Sequence, residues 1–128
     1  ENQTVDFGAI YNYEKNMPVL KKNFSLSTIR DQTAGCTERF DITTSFYINE
    51  NLYDSTHLDI GNGLLLNIVD DTANTDVLFN QYMPFTTYIP GEPSTVTHNY
   101  TAELTKKPSE SVADGPFSKD VIIKINYQ

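Results

Sequence analysis

The sequence predicts an all-β fold, an antiparallel β-sandwich, and two observations lead to it. Apolar and β-branched residues alternate with polar ones over several short segments, which is the period of a half-buried strand. The segments between them are turns rich in Gly, Asn, Asp and Pro, and no stretch has the period of an amphipathic helix. Short strands that follow one another without helices are typical of two antiparallel sheets packed face to face.

Seven strands are predicted along the chain. They cover 4–10, 23–29, 39–48, 63–71, 76–79, 94–105 and the end of the chain at 121–127. The clearest alternation is in 39–48, where one face carries Phe40, Ile42, Thr44, Phe46 and Ile48. The segment 94–105 likewise has one face made of Val96, His98, Tyr100, Ala102 and Leu104. These faces are the predicted core.

The last predicted strand is strongly alternating, and it closes the chain. One of its faces carries Val121, Ile123, Ile125 and Tyr127, and the other carries Ile122, Lys124 and Asn126. Chain ends fray unless another segment holds them, so a strand in this position raises the question of what it pairs with.

Charge and composition exclude several classes of function. The net charge is −8, whereas binding to nucleic acid or to an anionic membrane surface requires clustered Lys and Arg. No run approaches the ~20 apolar residues that span a bilayer, so no membrane insertion is expected. Because no linker, repeat or low-complexity tract interrupts the chain, residues 1–128 are predicted to form one domain.

Nothing in the sequence indicates a catalytic or metal site, so we expect no enzyme and no cofactor. The segment DDTANTD at 70–76 is spaced like a calcium loop, but it lacks the central Gly and the closing Glu, and hairpin turns use the same residues. His57 and His98 are far apart, and neither has a cluster of metal ligands beside it. We expect His57 at the surface and His98 half-buried in a strand.

Two weaker patterns have both a functional and a structural interpretation. Four aromatic residues crowd the proline-containing segment 79–93, namely Phe79, Tyr82, Phe85 and Tyr88. They form a surface for stacking on a sugar or, as is commoner in sandwich proteins, fill the end of the sheets. N-glycosylation sequons occur at Asn2, Asn23 and Asn99, and a chain rich in Asn, Ser and Thr produces such triplets by chance.

Cys36 is the only cysteine, and the residues around it leave its chemistry open. A lone thiol is usually a small buried apolar group, and the surrounding AGCTER resembles no nucleophile motif. The alternative is one half of a disulfide whose partner lies outside this chain.

Five segments, in order along the whole chain, carry a family resemblance. They are QTVDFGAI, FSLSTIRDQTAGC, GLLLNIVDD, TTYIPGEPSTVTHNYTAELT and the terminal ADGPFSKDVIIKINYQ. Each pattern is weak alone, and their order over one domain makes them specific. Together they resemble the pilin subunits of chaperone–usher pili (fimbriae), and most closely the minor, tip-adaptor subunits of type 1-like fimbriae.

The resemblance implies an incomplete immunoglobulin-like sandwich that lacks its last strand. In this family the C-terminal strand borders an open hydrophobic groove, and a strand donated by another protein fills it. The implied groove walls are Val121, Ile123, Ile125 and Tyr127 on one side, and Val5 and Phe7 on the other. Its floor is expected at Leu26, Leu66 and Ile68. The chaperone of such subunits also grips the terminal carboxylate, here on Gln128.

The resemblance also implies partners and a location. A periplasmic pilus chaperone would donate the first strand, an outer-membrane usher would follow, and neighbouring pilus subunits would replace the chaperone in an extracellular pilus. Cys36 corresponds to the second cysteine of the family's disulfide. We therefore expect its partner, and the family's donor extension, upstream of Glu1, as in a truncated chain.

The sequence thus predicts a structural pilus subunit, assembled by donor-strand complementation and exchange and contributing to adhesion. Two alternatives stay open. The chain is the pilin domain of a two-domain tip adhesin if a receptor-binding domain precedes Glu1. It is a free carbohydrate-binding β-sandwich if its sheets are complete without a partner.

Overall fold

The computed structural model describes residues 20–29, 39–49, 52–61, 63–91, 95–109 and 122–127. Within these ranges all regular structure is β-strand, in two antiparallel sheets. The strands are β1 (Leu20–Ile29), β2 (Phe40–Tyr47), β3 (Leu58–Gly61), β4 (Leu64–Asp70), β5 (Thr75–Asp76), β6 (Tyr82–Tyr88), β7 (Thr95–Lys106) and β8 (Ile122–Tyr127). The predicted strand 4–10 lies outside the described residues, as do Val5, Phe7, Cys36, Val121 and Gln128.

The larger sheet is organised around β7. This strand pairs with β1 on one side and with β4 on the other, in antiparallel register throughout. On the side of β4 away from β7, two short strands pair with it one after the other. β3 lies opposite Leu64–Leu66, and β5 lies opposite Val69 and Asp70. The order is therefore β1–β7–β4–β3, with β5 continuing the edge that β3 begins.

The smaller sheet has the order β6–β2–β8, with β2 in the centre. Its β2–β6 ladder contains a β-bulge, because Ile42 lies opposite Thr86 whereas the next residue, Thr43, lies opposite Pro84. Phe85 therefore has no partner residue in this register. Proline and bulges are both tolerated at the edge of a sheet, and among the described strands β6 lies at such an edge.

The core lies between the two sheets and follows the predicted alternation in β2 and β7. Buried side chains from these strands are Ile42, Phe46, Tyr100, Ala102 and Leu104. Tyr100 is only 1% exposed; its ring stacks on Phe24 of β1 with centroids 5.2 Å apart. It also meets the ring of Phe46 edge-on, again at 5.2 Å. This contact joins the larger sheet to β2 of the smaller one.

The sequence did not predict β3 or β6. β3 has four residues and ends at Gly61, whose φ of 86° lies in the left-handed region that favours glycine. β6 contains Pro84, which the sequence rules treat as a break in a strand. The predicted strand 76–79 is also shorter than expected. β5 ends at Asp76, the Val77 N–H donates one further backbone hydrogen bond to the Ile68 carbonyl of β4 at 2.8 Å, and the side chains of Val77 and Phe79 enter the core.

The segment 70–76 is a hairpin turn between β4 and β5. The Asp70 carboxylate accepts hydrogen bonds from the backbone N–H groups of Thr72, at 3.0 Å, and Ala73, at 2.9 Å. Asn74 has a φ of 57°, which Asn adopts more easily than most residues. The segment 70–76 is therefore a hairpin turn, as the structural interpretation of the sequence predicted.

Replacing Leu104 by Ala tests the position of the core. Leu104 is 1% exposed, so the truncation removes packing and leaves a cavity between the sheets. We expect the free energy of unfolding to fall by ~2–5 kcal/mol. The control Ile89→Ala, at a side chain 41% exposed, should change it far less. Denaturant unfolding followed by circular dichroism measures both, and equal effects would contradict this core.

Candidate functional site

The candidate site is the edge of the smaller sheet that β8 forms. Here β8 pairs with β2, and along one face the pairs are Ile42–Tyr127, Thr44–Ile125 and Phe46–Ile123. In the part of the chain that the structure describes, no other strand pairs with β8. Its second backbone edge is therefore open among these residues.

The register assigns the positions of β8 to two faces. Residues directly opposite each other in an antiparallel pair share a face of the sheet. On β2, Ile42 and Phe46 belong to the hydrophobic core between the sheets, and Thr44 between them is 4% exposed; Ser45 on the opposite face is also 4% exposed but lies outside that hydrophobic cluster. Positions 123, 125 and 127 therefore lie on the core side, and positions 124 and 126 on the other side. This register agrees with the predicted groove wall, whose role in binding stays a prediction.

The three predicted floor residues lie on the larger sheet. Leu26 on β1 and Ile68 on β4 are buried, at 0% and 4% exposure, and Leu66 on β4 is partly buried against the same core. β7 separates β1 from β4, so these residues come from both sides of the central strand. The structure thus places all three in or against the core, and their contact with a donated strand stays a prediction.

A buried polar pair, which the sequence did not predict, lies within the core. His98 and Asp70 are 7% and 6% exposed, and His98 Nδ1 lies 2.7 Å from Asp70 Oδ2. The ring of His98 stacks on Phe85 of the opposite sheet, with centroids 4.1 Å apart. His98 is therefore buried, not half-buried as predicted. A buried carboxylate requires such hydrogen-bond partners, which gives the pair a structural role.

The described ranges contain no group of three or more His, Cys, Asp or Glu side chains that could hold a metal ion. His57 lies in a surface turn, where its Nδ1 is 2.8 Å from Asp54 Oδ1. Although desolvation by burial acts in the opposite direction, hydrogen bonds from His57 and from the Thr56 N–H hold the pKa of Asp54 below its usual value. The same ranges contain no helix long and apolar enough to cross a membrane.

The aromatic residues of 79–93 are divided between the core and the surface. Phe79 and Phe85 are buried, at 2% and 5% exposure, whereas Tyr82 is 54% exposed. Tyr88 stacks on Phe40 of β2 at 5.0 Å. These four rings do not share one exposed face, so they do not form a surface for stacking on a sugar. For Phe79 and Phe85, the structural interpretation is correct.

Two of the sequons lie in paired strands of the larger sheet. Asn23 on β1 is opposite Thr101 on β7, and the Thr101 hydroxyl donates to Asn23 Oδ1 at 3.0 Å. Asn99 is opposite Ser25 in the same ladder. Glycosylation acceptors usually lie in surface loops, so this position favours chance occurrence. Asn2 lies outside the described residues.

No known protein-family profile matches the chain. Two solved structures are similar over 99% of it. The crystal structure of the P pilus rod subunit PapA gives a TM-score of 0.72 at 21% sequence identity, with 93% of that chain covered. A chain in a structure of a chaperone–usher pilus gives 0.65 at 19% identity, with 82% covered.

These comparisons define the class of fold. The protein has the fold of chaperone–usher pilus subunits, as the sequence resemblance predicted, and the all-β antiparallel architecture is confirmed. Identities near one fifth show the fold alone, so the narrower resemblance to tip-adaptor subunits stays a prediction.

The buried phenol of Tyr100 makes stability depend on alkaline pH. Burial raises the pKa of Tyr100 well above its ordinary value of 10.0, and the nearby Asp70 carboxylate raises it further. The unfolded chain therefore releases this proton at lower pH than the folded protein does. The stabilising contribution is complete below the ordinary pKa and is lost as the pH rises above it.

Above pH 10.0, the ordinary pKa of tyrosine, we therefore expect the melting temperature of Tyr100→Phe to fall less with rising pH than that of the wild type. The control Tyr82→Phe, at an exposed ring, should leave the fall unchanged. The measurement is the melting temperature of the wild type and of both variants across the alkaline pH range. An equal fall in the wild type and in Tyr100→Phe would show that Tyr100 is not the group responsible.

Proposed function

We propose that the protein is a structural subunit of a chaperone–usher pilus, and that β8 accepts a donated strand along its open edge. One observation carries the proposal: among the described residues β8 is a six-residue edge strand, and its positions 123, 125 and 127 lie opposite buried residues of β2 within a pilus-subunit fold. A donated strand would pair with the N–H and C=O groups on the second edge of β8, for which the described residues provide no partner strand, and would extend the sheet there.

The proposal includes the partners that deliver the strand. A periplasmic chaperone donates it first, the outer-membrane usher receives the complex, and the next subunit replaces the chaperone in the extracellular pilus. The role is structural rather than catalytic, and the protein contributes to adhesion as part of the fibre. The similarity to a pilus rod subunit supports this role. The free carbohydrate-binding alternative loses its main support, because two rings of its aromatic surface are buried.

Alanine substitutions on the two faces of β8 test the proposal. Ile123→Ala or Ile125→Ala should abolish capture by the cognate chaperone, since truncating an aliphatic side chain that the donated strand would cover should cost ~2–5 kcal/mol. Lys124→Ala and Asn126→Ala, on the opposite face of the same strand, are the matched controls and should be tolerated. Co-purification of each variant with the chaperone from periplasm measures capture.

The proposal requires that substitutions on the two faces of β8 differ in their effect on chaperone capture. Equal losses on both faces, or none on either, would show that β8 is not the wall of a strand-accepting groove. Circular dichroism of each purified variant separates loss of binding from loss of fold.

A further inference from the structure

Among the residues that the structure describes, the smaller sheet has two edge strands, β8 and, on the opposite side, β6. With Ile89, β6 makes an uncharged run, YMPFTTYI, in which six of the eight residues are aromatic or β-branched. Tyr82 and Ile89, at its two ends, are 54% and 41% exposed. An uncharged, exposed strand at a sheet edge tends to pair with other chains, so a feature that prevents pairing is expected within β6 itself.

Pro84 is that feature. It lies in the middle of β6, exposed, and opposite Thr43 of β2. Proline has no N–H, so in a paired strand it takes a position whose nitrogen points away from the partner strand, here outward from the sheet. A strand that approached β6 would meet the pyrrolidine ring where it needs a hydrogen-bond donor.

The bulge at Phe85 also hinders the pairing of another strand with β6. It breaks the even spacing of N–H and C=O groups along the edge and increases the local twist. The bulge is fixed from inside the protein, because Phe85 is buried and stacks on His98 at 4.1 Å. His98 is itself held by Asp70 at 2.7 Å. The buried polar pair thus supports the geometry of the β6 edge.

We propose that Pro84, together with the bulge at Phe85, closes the β6 edge to strand addition and so confines a donated strand to β8. The inference rests on the proposed function for the strand that β8 receives, and it adds what restricts that strand to one edge. A subunit that took strands at both edges of one sheet would associate laterally as well as along the fibre. A linear fibre therefore requires one closed edge.

The test replaces Pro84 by Thr, which restores the N–H and favours a strand. A synthetic peptide fills the β8 edge in every sample: six alternating Val and Thr residues, matching the length of β8, with flanking lysines for solubility. We expect the wild type to remain a monomer and Pro84→Thr to shift to dimers and larger species, measured by size exclusion with light scattering. Pro90→Ala, at an exposed proline outside the strands, is the control and should remain a monomer.

A second variant shows where the association takes place. Adding Tyr82→Lys to Pro84→Thr places a charge on the same edge and should return the protein to a monomer, as charged edge strands do. A folded Pro84→Thr protein that stays monomeric would overturn the inference, and so would association that Tyr82→Lys does not reverse. If Pro84→Thr does not fold, Pro84→Ala restores the same N–H with a smaller change and is interpreted in the same way.

The design keeps this inference separate from the proposed function. If the peptide fails to raise the melting temperature of the wild type, the failure concerns strand addition at β8. The β6 edge is then judged by comparing Pro84→Thr with the wild type without peptide, where greater self-association of the variant supports the inference and equal association overturns it.

Discussion

β8 pairs with β2 and, among the described residues, with no other strand, and the rest of the structure depends on this one-sided pairing. Backbone N–H and C=O groups at the boundary of a core need partners, and a sheet edge beside apolar side chains leaves them unpaired. The core face of the sheet is set by Ile42, Thr44 and Phe46, so an added strand would extend that same face. Stability and binding are therefore linked, because a strand that binds only the folded state stabilises it.

Two contacts across the core join the two sheets that the described residues form. Tyr100 packs against Phe24 of its own sheet and against Phe46 of the other, and aromatic pairs of this kind add ~0.5–1.5 kcal/mol beyond the area they bury. His98 makes the second contact, through its stack on Phe85. The contact between His98 and Asp70 holds the ring that stacks on Phe85, so its structural consequence is the position of β6.

The sequence predicted the strands whose alternation is long, and it failed where local rules conflict with position in the sheet. In each of the predicted segments 39–48 and 94–105, five alternate residues fall on one face, a pattern typical of a strand. The sequence did not predict β6 because Pro84 counts against a strand unless that strand lies at the edge of a sheet. Whether a strand lies at an edge depends on long-range pairing, which the local sequence does not show. The His98–Asp70 contact joins residues 28 apart, and its one signal was His98 on an otherwise apolar face. The alternation in β8 gave its faces, but only the family resemblance predicted that its second edge accepts a donated strand.

Amide hydrogen exchange along β8 is the most direct measurement of the central claim. In an antiparallel edge strand, alternate N–H groups bond to the neighbouring strand and the others point outward. In the isolated monomer we predict slow exchange for the amides that bond to β2 and fast exchange for those between them, which a donated strand should then protect. Protection of every β8 amide in the monomer without a donor would mean that the sheet is already complete, and would contradict the account.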